Sequence, residues 1–335
     1  MKKLASIILA LTLVMGMSTV AFAAEDPAVN TNTDMETITI TKDYEETNTG
    51  TTSPAETFNF TIENASVTDA ASGITKENMP EATIGSVVYV AGDAGSVNKS
   101  KQITVTLPEY TSVGIYTYTI KETAGTTAGV TYYGDDIELV VTVQQIGDKL
   151  VRVAAVHTEA SGAKTDNFSN IYSAGTLAVS KTVTGNMGDQ KKDFTVTVEF
   201  TAPTGKTVNE DITYVDGTET KTIASTAWND GKATAEITLK HNETVTFTNI
   251  PYGVTYTVVE NDYKEDGYDE PVYTWSDETN KKIDSASDTV GITNNKGVEV
   301  DTGIGMDSLP YMLLLAFAFA GMVVFFAKKR FSRAN

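Results

Sequence analysis

Between residues 37 and 297 the chain is a series of short segments in which apolar and polar residues alternate. The clearest are TFNFTIE (57–63), KQITVTL (101–107), DFTVTVEF (193–200) and VTYTVVE (254–260), and Gly, Asn, Asp and Pro separate them. Successive side chains of a β-strand point to opposite faces, so a period of two indicates strands with one buried face. No segment between residues 30 and 300 keeps a helical period. The pattern predicts an all-β chain, and its length suits two tandem Ig-like β-sandwich domains.

An internal repeat divides this β-rich region in two. Four segments recur in the same order, namely ITITKDY (38–44) and LAVSKTV (177–183), TFNFTIE (57–63) and DFTVTVE (193–199), GIYTYTIKE (114–122) and YGVTYTVVE (252–260), and DNFSNIY (166–172) and VGITNNK (290–296). The short SAGT at 173–176 joins the two copies. We therefore expect one domain over residues 37–172 and a second over 175–297, with little slack between them.

Each copy of the repeat places a lysine, a glutamate and an asparagine on the apolar face of their strands. These residues are Lys42, Glu122 and Asn170 in the first copy, and Lys181, Glu260 and Asn294 in the second. Lysine and glutamate are almost never fully buried without partners, and a lone buried charge is very costly. The same three residue types in the same order twice indicate a common function for the two sets.

Two arrangements satisfy the burial of these residues. In the first, desolvation keeps lysine as a neutral amine and glutamate as a neutral acid. The amine attacks the asparagine carboxamide, the glutamate moves protons, ammonia leaves, and a Lys–Asn isopeptide bond remains. In the second, the lysine and glutamate form an unreacted ion pair with asparagine as a hydrogen-bond partner. The spacing alone leaves both arrangements open.

The two ends of the chain look like targeting segments. Lys2 and Lys3 precede an apolar stretch and a small-residue cleavage site, which predicts a secretory signal peptide over residues 1–23. A polar and flexible segment is expected over 24–36. Residues 310–327 are uncharged and are followed by a basic tail at 328–335, which predicts a transmembrane span with a cytoplasmic tail and an extracellular main part.

Composition excludes several classes of function. A formal charge of −19 argues against nucleic-acid binding, which needs a basic surface. There is no cysteine, so a secreted chain of this kind relies on core packing or on another type of crosslink. His157 and His241 have no partnering motif, and the acidic loop 261–270 lacks the spacing of a calcium loop. We expect no cofactor, no metal and no turnover enzyme.

Three longer segments carry a resemblance to a known family. They are LAVSKTVTGNMGDQKKDFTV (177–196), IPYGVTYTVVENDYKEDGY (250–268) and ITNNKGVEVDTG (292–303). With them, the chain resembles the sortase-assembled backbone pilins of Gram-positive bacteria, in particular the streptococcal T-antigen type with CnaB-type Ig-like domains. The resemblance implies one isopeptide bond per domain, between Lys42 and Asn170 with Glu122, and between Lys181 and Asn294 with Glu260.

The resemblance also implies a sortase signal at 299–303, in the order Glu299, Val300, Asp301, Thr302 and Gly303. It departs from the common Leu-Pro-x-Thr-Gly pattern because Glu and Val stand where Leu and Pro are usual. Sortase would cut between Thr302 and Gly303 and hold the threonine as a thioester. A lysine of the next subunit would resolve the thioester. In the family it lies shortly before the reacting asparagine of the first domain, and Lys164 fits with one residue fewer between it and that asparagine, with Lys149 and Lys121 as further candidates.

The expected function is therefore that of a pilus shaft subunit on a Gram-positive cell surface, attached to the cell wall. The implied partners are a pilus-specific sortase, identical subunits, minor pilins and peptidoglycan at the fibre base. A singly displayed wall-anchored adhesin or minor pilin is the alternative, and a surface-layer protein with unreacted clusters is a third interpretation.

Overall fold

The structure is a computed structural model that describes residues 33–158, 166–299 and 309–331. The alternating segments form strands, and the prediction of an all-β fold built from Ig-like sandwiches is confirmed. The strands of the first domain are β1 Thr37–Glu46, β2 Glu56–Thr68, β3 Thr83–Ile84, β4 Val87–Tyr89, β5 Ser100–Thr106, β6 Gly114–Thr123, β7 Val130–Thr131, β8 Ile137–Ile146, β9 Lys149–Thr158 and β10 Asn167–Tyr172. Short 3-10 turns lie at Asp93–Gly95 and Val97–Lys99.

The second domain repeats this construction. Its strands are β11 Ala174–Thr184, β12 Phe194–Thr201, β13 Ile212–Asp216, β14 Glu219–Ile223, β15 Lys232–Leu239, β16 Thr244–Pro251, β17 Thr255–Glu260, β18 Val272–Trp275 and β19 Ser287–Asn295. Short 3-10 turns lie at Ser225–Ala227 and Lys264–Asp266. The first strand of this domain begins two residues after the last strand of the first domain ends, at the SAGT segment.

In each domain two sheets face each other across the core. In the first domain their strand orders are β3-β5-β1-β10-β7 and β4-β2-β6-β8-β9, and in the second they are β14-β13-β16-β11-β19-β18 and β15-β12-β17. The first and last strands of each domain are parallel neighbours in one sheet, β1 with β10 and β11 with β19. This pairing places the first and last strands of each domain side by side in the middle of a sheet.

The period of two in the sequence corresponds to burial in the structure. Along β12 every second residue is buried, and Phe194, Val196, Val198 and Phe200 have no exposed surface. Burying a side chain of this size fully contributes about 1.5–3 kcal/mol. The intervening threonines and Glu199 stay partly exposed, so strands of this composition are stable only with one face against a core.

The two domains meet at a hydrogen-bonded joint. The Asn48 side chain donates to the Ala174 carbonyl at 2.7 Å and to the Tyr252 hydroxyl at 2.8 Å. The Ala128 amide donates to the Thr207 carbonyl at 2.8 Å, and the Ala128 side chain belongs to the core of the second domain. A loop of the first domain is thus part of the second, and the contact between them is specific.

The strand directions place the start of β1 and the end of β19 on opposite sides of the joint. Strand β1 runs towards the joint, where the Thr47 amide donates to the Tyr172 carbonyl at 3.0 Å. Strands β11 and β19 start at the joint and run away from it side by side as far as Asn295. Residues 33–36 therefore lie far from residues 296–299.

Many of the residues in the predictions for the chain ends lie outside the part of the chain that the structure describes. The signal peptide 1–23 and most of the segment 24–36 lie outside the described residues. The predicted span 310–327 falls within a helix, α1, at Leu309–Phe331. Among the residues that the structure describes, no helix meets the length and hydropathy required to cross a membrane.

Candidate functional site

The strand register places the lysine and the asparagine of each domain side by side. In the first domain Lys42 is opposite Phe168 and Tyr44 is opposite Asn170, so Asn170 lies two positions beyond the lysine on the neighbouring strand. Residues two apart share a face, so both side chains enter the core. In the second domain Val183 is opposite Asn294, which gives Lys181 and Asn294 the same offset.

The glutamate of each set comes from the facing sheet. Glu122 lies on β6 and pairs with Phe60 of β2, while Glu260 lies on β17 and pairs with Val196 of β12. All four charged side chains of the two sets are completely shielded from solvent. The three residues of each set were predicted from the alternation of side chains along their strands. The structure brings them together between the two sheets of each domain.

The glutamate bridges the other two residues in the first domain. The Lys42 Nζ atom is 3.2 Å from Glu122 Oε2 and donates to the Phe168 carbonyl at 3.1 Å. The Asn170 amide nitrogen donates a short hydrogen bond to Glu122 Oε1, and the Asn170 carbonyl oxygen accepts from the Tyr133 amide at 2.9 Å. The amide nitrogen of Asn170 therefore contacts the carboxyl group, while its carbonyl oxygen is held by a backbone donor.

The second domain differs in one contact. The Lys181 Nζ atom is 3.1 Å from Glu260 Oε1 and donates a short hydrogen bond directly to Asn294 Oδ1. The lysine here already contacts the carboxamide that it would attack. The backbone amide of Glu260 donates to the Tyr273 hydroxyl at 2.9 Å, which fixes this end of β17 against β18.

An aromatic ring lies against each lysine, and our sequence interpretation missed it. Lys42 Nζ is 4.3 Å from the centre of the Phe58 ring, and Lys181 Nζ is 4.2 Å from that of Phe194. Both phenylalanines occupy the same position of the repeated segments TFNFTIE and DFTVTVE. That repetition was the signal that could have revealed them. A ring face removes water from the amine and still tolerates a cation.

Burial governs the protonation of the first cluster. Desolvation lowers the pKa of Lys42 to about 8, although the attraction of Glu122 opposes this shift. Desolvation also raises the pKa of Glu122, against the opposing effects of Lys42 and Asn170. At pH 7 a pKa of about 8 leaves roughly a tenth of the lysine as the neutral, nucleophilic amine. Desolvation likewise lowers the pKa of Lys181 in the second domain.

Known proteins are similar to this chain over both of its domains. Residues 38–173 match the family model of the Spy0128-like isopeptide containing domain, and residues 175–296 match a domain family of unknown function, DUF7601. A pilin of Streptococcus pyogenes serotype M1 is 26% identical over 338 residues, which cover 95% of this chain and 98% of that protein. The chain is thus similar to a streptococcal pilin over nearly its whole length. That relative is a pilin, a structural protein rather than an enzyme.

Solved pilin structures share the fold. The crystal structure of the major pilin from S. pyogenes superposes with a TM-score of 0.55 at 23% identity, covering 79% of this chain and 100% of that one. The T3.2 major pilin of the same species superposes with a TM-score of 0.52 at 20% identity, covering 79% of this chain and 99% of that one. At this level of identity the likeness shows that the chain shares the fold of these structures.

The residues predicted for pilus assembly lie mostly outside the part of the chain that the structure describes. Lys164 and the residues Val300, Asp301, Thr302 and Gly303 belong to undescribed segments. Glu299 is exposed, beyond the end of β19. Of the further candidates for the acceptor, Lys121 is 3.5 Å from Asp136, and Lys149 starts β9 at the end of the domain far from the joint.

The two histidines form ordinary hydrogen bonds. Within residues 33–158, 166–299 and 309–331, no cluster of His, Asp and Glu side chains could hold a metal ion. His157 pairs with Glu138 at 2.9 Å, and His241 Nδ1 accepts a hydrogen bond from the Val183 amide at 2.9 Å.

Proposed function

We propose that this protein is the shaft subunit of a covalently polymerised surface pilus and that each of its domains closes a Lys–Asn isopeptide bond. The observation that carries the proposal is the double occurrence of one arrangement. In both domains a fully buried lysine and an asparagine at the same register offset meet a glutamate from the facing sheet.

The reaction in the first domain follows from the contacts of Glu122. The neutral amine of Lys42 forms a bond from Nζ to the carboxamide carbon of Asn170. Glu122 accepts a proton from this nitrogen and gives one to the departing Asn170 nitrogen, with which it already shares a hydrogen bond. The C–Nδ2 bond breaks and ammonia leaves. The glutamate ends as it began, so its action is catalytic although each domain reacts once.

The same steps apply in the second domain, with Lys181, Asn294 and Glu260 in the same roles. There the lysine contacts Asn294 Oδ1, so proton transfer from Glu260 to the nitrogen requires a small rotation of the carboxamide. Each bond would join the first strand of a domain to the last. Tension along the fibre would then pass through a covalent link between β1 and β10 or between β11 and β19, rather than through the sheet.

The intact mass of the mature chain tests this part of the proposal. We expect the mass to be lower than that of the sequence by two ammonia molecules. Lys42→Ala and Lys181→Ala should each prevent one of these two losses. A matched control is Lys101→Ala, because Lys101 lies next to Lys42 in the sheet but forms its ion pair with Asp93 at 2.7 Å. A mass equal to that of the unreacted chain would refute the crosslinks and favour buried ion pairs.

Polymerisation rests on the sequence signal at 299–303 and on the polarity of the fold. A sortase would cut between Thr302 and Gly303 and transfer Thr302 to Lys164 of the next subunit. The segment 310–327 would hold the precursor at the membrane until then. The carboxyl end of the second domain lies far from the start of the first, an arrangement suited to head-to-tail addition. Minor pilins and peptidoglycan at the base complete the proposed assembly.

An immunoblot of wall protein released by muramidase and boiled in SDS tests the assembly. We expect a ladder of high-mass species that disappears in Lys164→Ala. A ladder that survives this change moves the acceptor to Lys149 or Lys121. A single band near the mass of one subunit would contradict the shaft role and favour a singly displayed adhesin.

A further inference from the structure

The polypeptide leaves the second domain beside the turn that follows β11. Strand β19 ends at Asn295, and the Lys296 amide then donates to the Thr184 carbonyl at 3.0 Å. The Met187 amide donates in turn to the Lys296 carbonyl at 3.0 Å. Gly185 has a φ of 87°, and a Cβ atom added there would collide with the same carbonyl oxygen. The turn after the first strand and the exit from the last strand are therefore in backbone contact.

The next contact of the exit is made by the side chain of Asn186. Its Oδ1 atom accepts a hydrogen bond from the Val298 amide at 3.0 Å, and its Nδ2 atom donates to the Val298 carbonyl at 3.0 Å. One carboxamide thus takes both backbone hydrogen-bonding groups of a single residue, as the opposite residue of an antiparallel strand does. Asn186 and Val298 are both exposed, so this contact fixes the exit of the chain without being part of the core.

The first domain holds its own exit with a related contact. Asn48, just beyond the end of β1, donates from Nδ2 to the Ala174 carbonyl at 2.7 Å. Ala174 is four positions after Asn170, the asparagine of the buried cluster in that domain. Val298 is likewise four positions after Asn294. In each domain an asparagine that follows the first strand therefore binds the same position of the exit. Beyond the first exit the chain continues as the second domain, and beyond the second it continues as the predicted sortase signal.

We propose that Asn186 anchors the segment that links one subunit to the next in the fibre. The inference rests on the proposed sortase reaction, which leaves Thr302 bonded to the following subunit. Only residues 299–302 then lie between the anchored Val298 and the new bond, and four residues span at most about 14 Å. The second domain would present its exit at a fixed place, as the first domain does at the joint, so successive subunits would be joined by a short linker.

Without Asn186 the linker would begin earlier. The backbone hydrogen bonds of the exit would then end at the Lys296 carbonyl, so Gly297 and Val298 would be released. The free linker would lengthen from residues 299–302 to residues 297–302. Amide exchange and proteolysis both follow the population of such locally open states, so both report the release.

Hydrogen exchange of the Val298 amide tests the anchor itself. The mature chain, residues 24–302, is labelled with nitrogen-15, and NMR follows Val298 with Lys296 as an internal reference, because the Lys296 amide bonds to Thr184 instead. We expect Asn186→Ala to raise the exchange rate of Val298 about three- to tenfold, since opening then breaks fewer hydrogen bonds. Asn186→Asp keeps an acceptor for this amide and should raise the rate less. The exchange of Lys296 should stay that of the parent.

Proteolysis of the released fibre tests the consequence for assembly. A glutamate-specific protease cleaves after Glu299 in the linker, and mass spectrometry measures this product in polymer released from the cell wall. We expect the ladder to form in Asn186→Ala and cleavage after Glu299 to be about three- to tenfold faster than in the parent. Asn261→Ala is the matched control, because Asn261 is exposed just after β17 and contacts β12 through its backbone amide.

An unchanged exchange rate of Val298 in Asn186→Ala would overturn the anchor. So would equal cleavage after Glu299 in Asn186→Ala and Asn261→Ala, or a general rise in cleavage with a lower melting temperature, since the latter indicates a contribution to folding alone. If the parent forms no ladder, the proposed sortase assembly fails. This result is distinct from a parent that polymerises while the two variants are cleaved alike.

Discussion

Replacing Lys181 by methionine should reveal how much the proposed crosslink of the second domain contributes to stability. Methionine has a similar length and no nucleophile, and the site it would fill is fully buried and lined by Phe194. Lys181 and Asn294 are separated by 113 positions, so the bond between them closes a long loop. Loop-closure entropy for a crosslink of this span stabilises the folded state by about 5 kcal/mol.

This free energy converts into a large thermal shift. A domain of roughly 120 residues unfolds with an entropy of about 0.25 kcal/mol/K, so the loss lowers the melting temperature of the second domain by about 20 °C. Differential scanning calorimetry measures the change, and intact mass on the same sample reports the missing bond. The first domain, whose proposed crosslink is left intact, provides the reference transition.

Two further variants separate the bond from the buried charges. Lys181→Met leaves the buried Glu260 without its lysine, whereas Lys181→Met combined with Glu260→Gln leaves no ionisable group at this site. Because the missing bond, not the unpaired carboxyl group, is expected to account for the loss, the two variants should melt within a few degrees of each other. Lys42→Met should lower the transition of the first domain instead. A second-domain transition that moves by less than about 5 °C, in a variant shown by mass to lack the bond, would refute the entropic reasoning.

Two other perturbations follow from the geometry. The hydrogen bond and charge of Arg152 lower the pKa of Asp34, so this contact stabilises the folded state above about pH 4 and is lost as the pH falls further. NMR of residues 33–36 should detect this loss. Arg152→Gln should abolish the contact at all pH values. Gly129→Ala should weaken the joint by more than about 1 kcal/mol, because Gly129 has a φ of 78° and a Cβ atom there would lie 2.6 Å from the Ser173 carbonyl oxygen. Proteolysis near residues 172–176 measures that loss, and Gly134→Ala, with open space around it, is the control. A cleavage rate equal to that of the control would contradict a rigid joint.

The alternation of inward and outward side chains along each strand was sufficient to select the six polar residues of the two clusters. A lysine such as Lys42 stands out on the apolar face of its strand whichever strand is its neighbour, because the face to which a side chain points is a local property of the backbone. The repeat then supplied the strand order, since a lysine on the first strand and an asparagine on the last recur together. The sequence by itself therefore determined the fold class, the two domains and the residue types gathered in each core.

Tertiary structure decided what those residues contact. The alternation of side chains shows which face of a strand a residue occupies, but not how neighbouring strands are aligned. Only the parallel pairing of β1 with β10 and of β11 with β19 shows that each asparagine lies two positions beyond its lysine. The aromatic ring beneath each lysine comes from the opposite sheet, and sequence alone does not determine which residues face each other across a core. The insertion of Ala128 into the second domain depends on how a loop crosses the joint. Such contacts join segments far apart in the chain, and only their packing in three dimensions brings them within hydrogen-bonding distance.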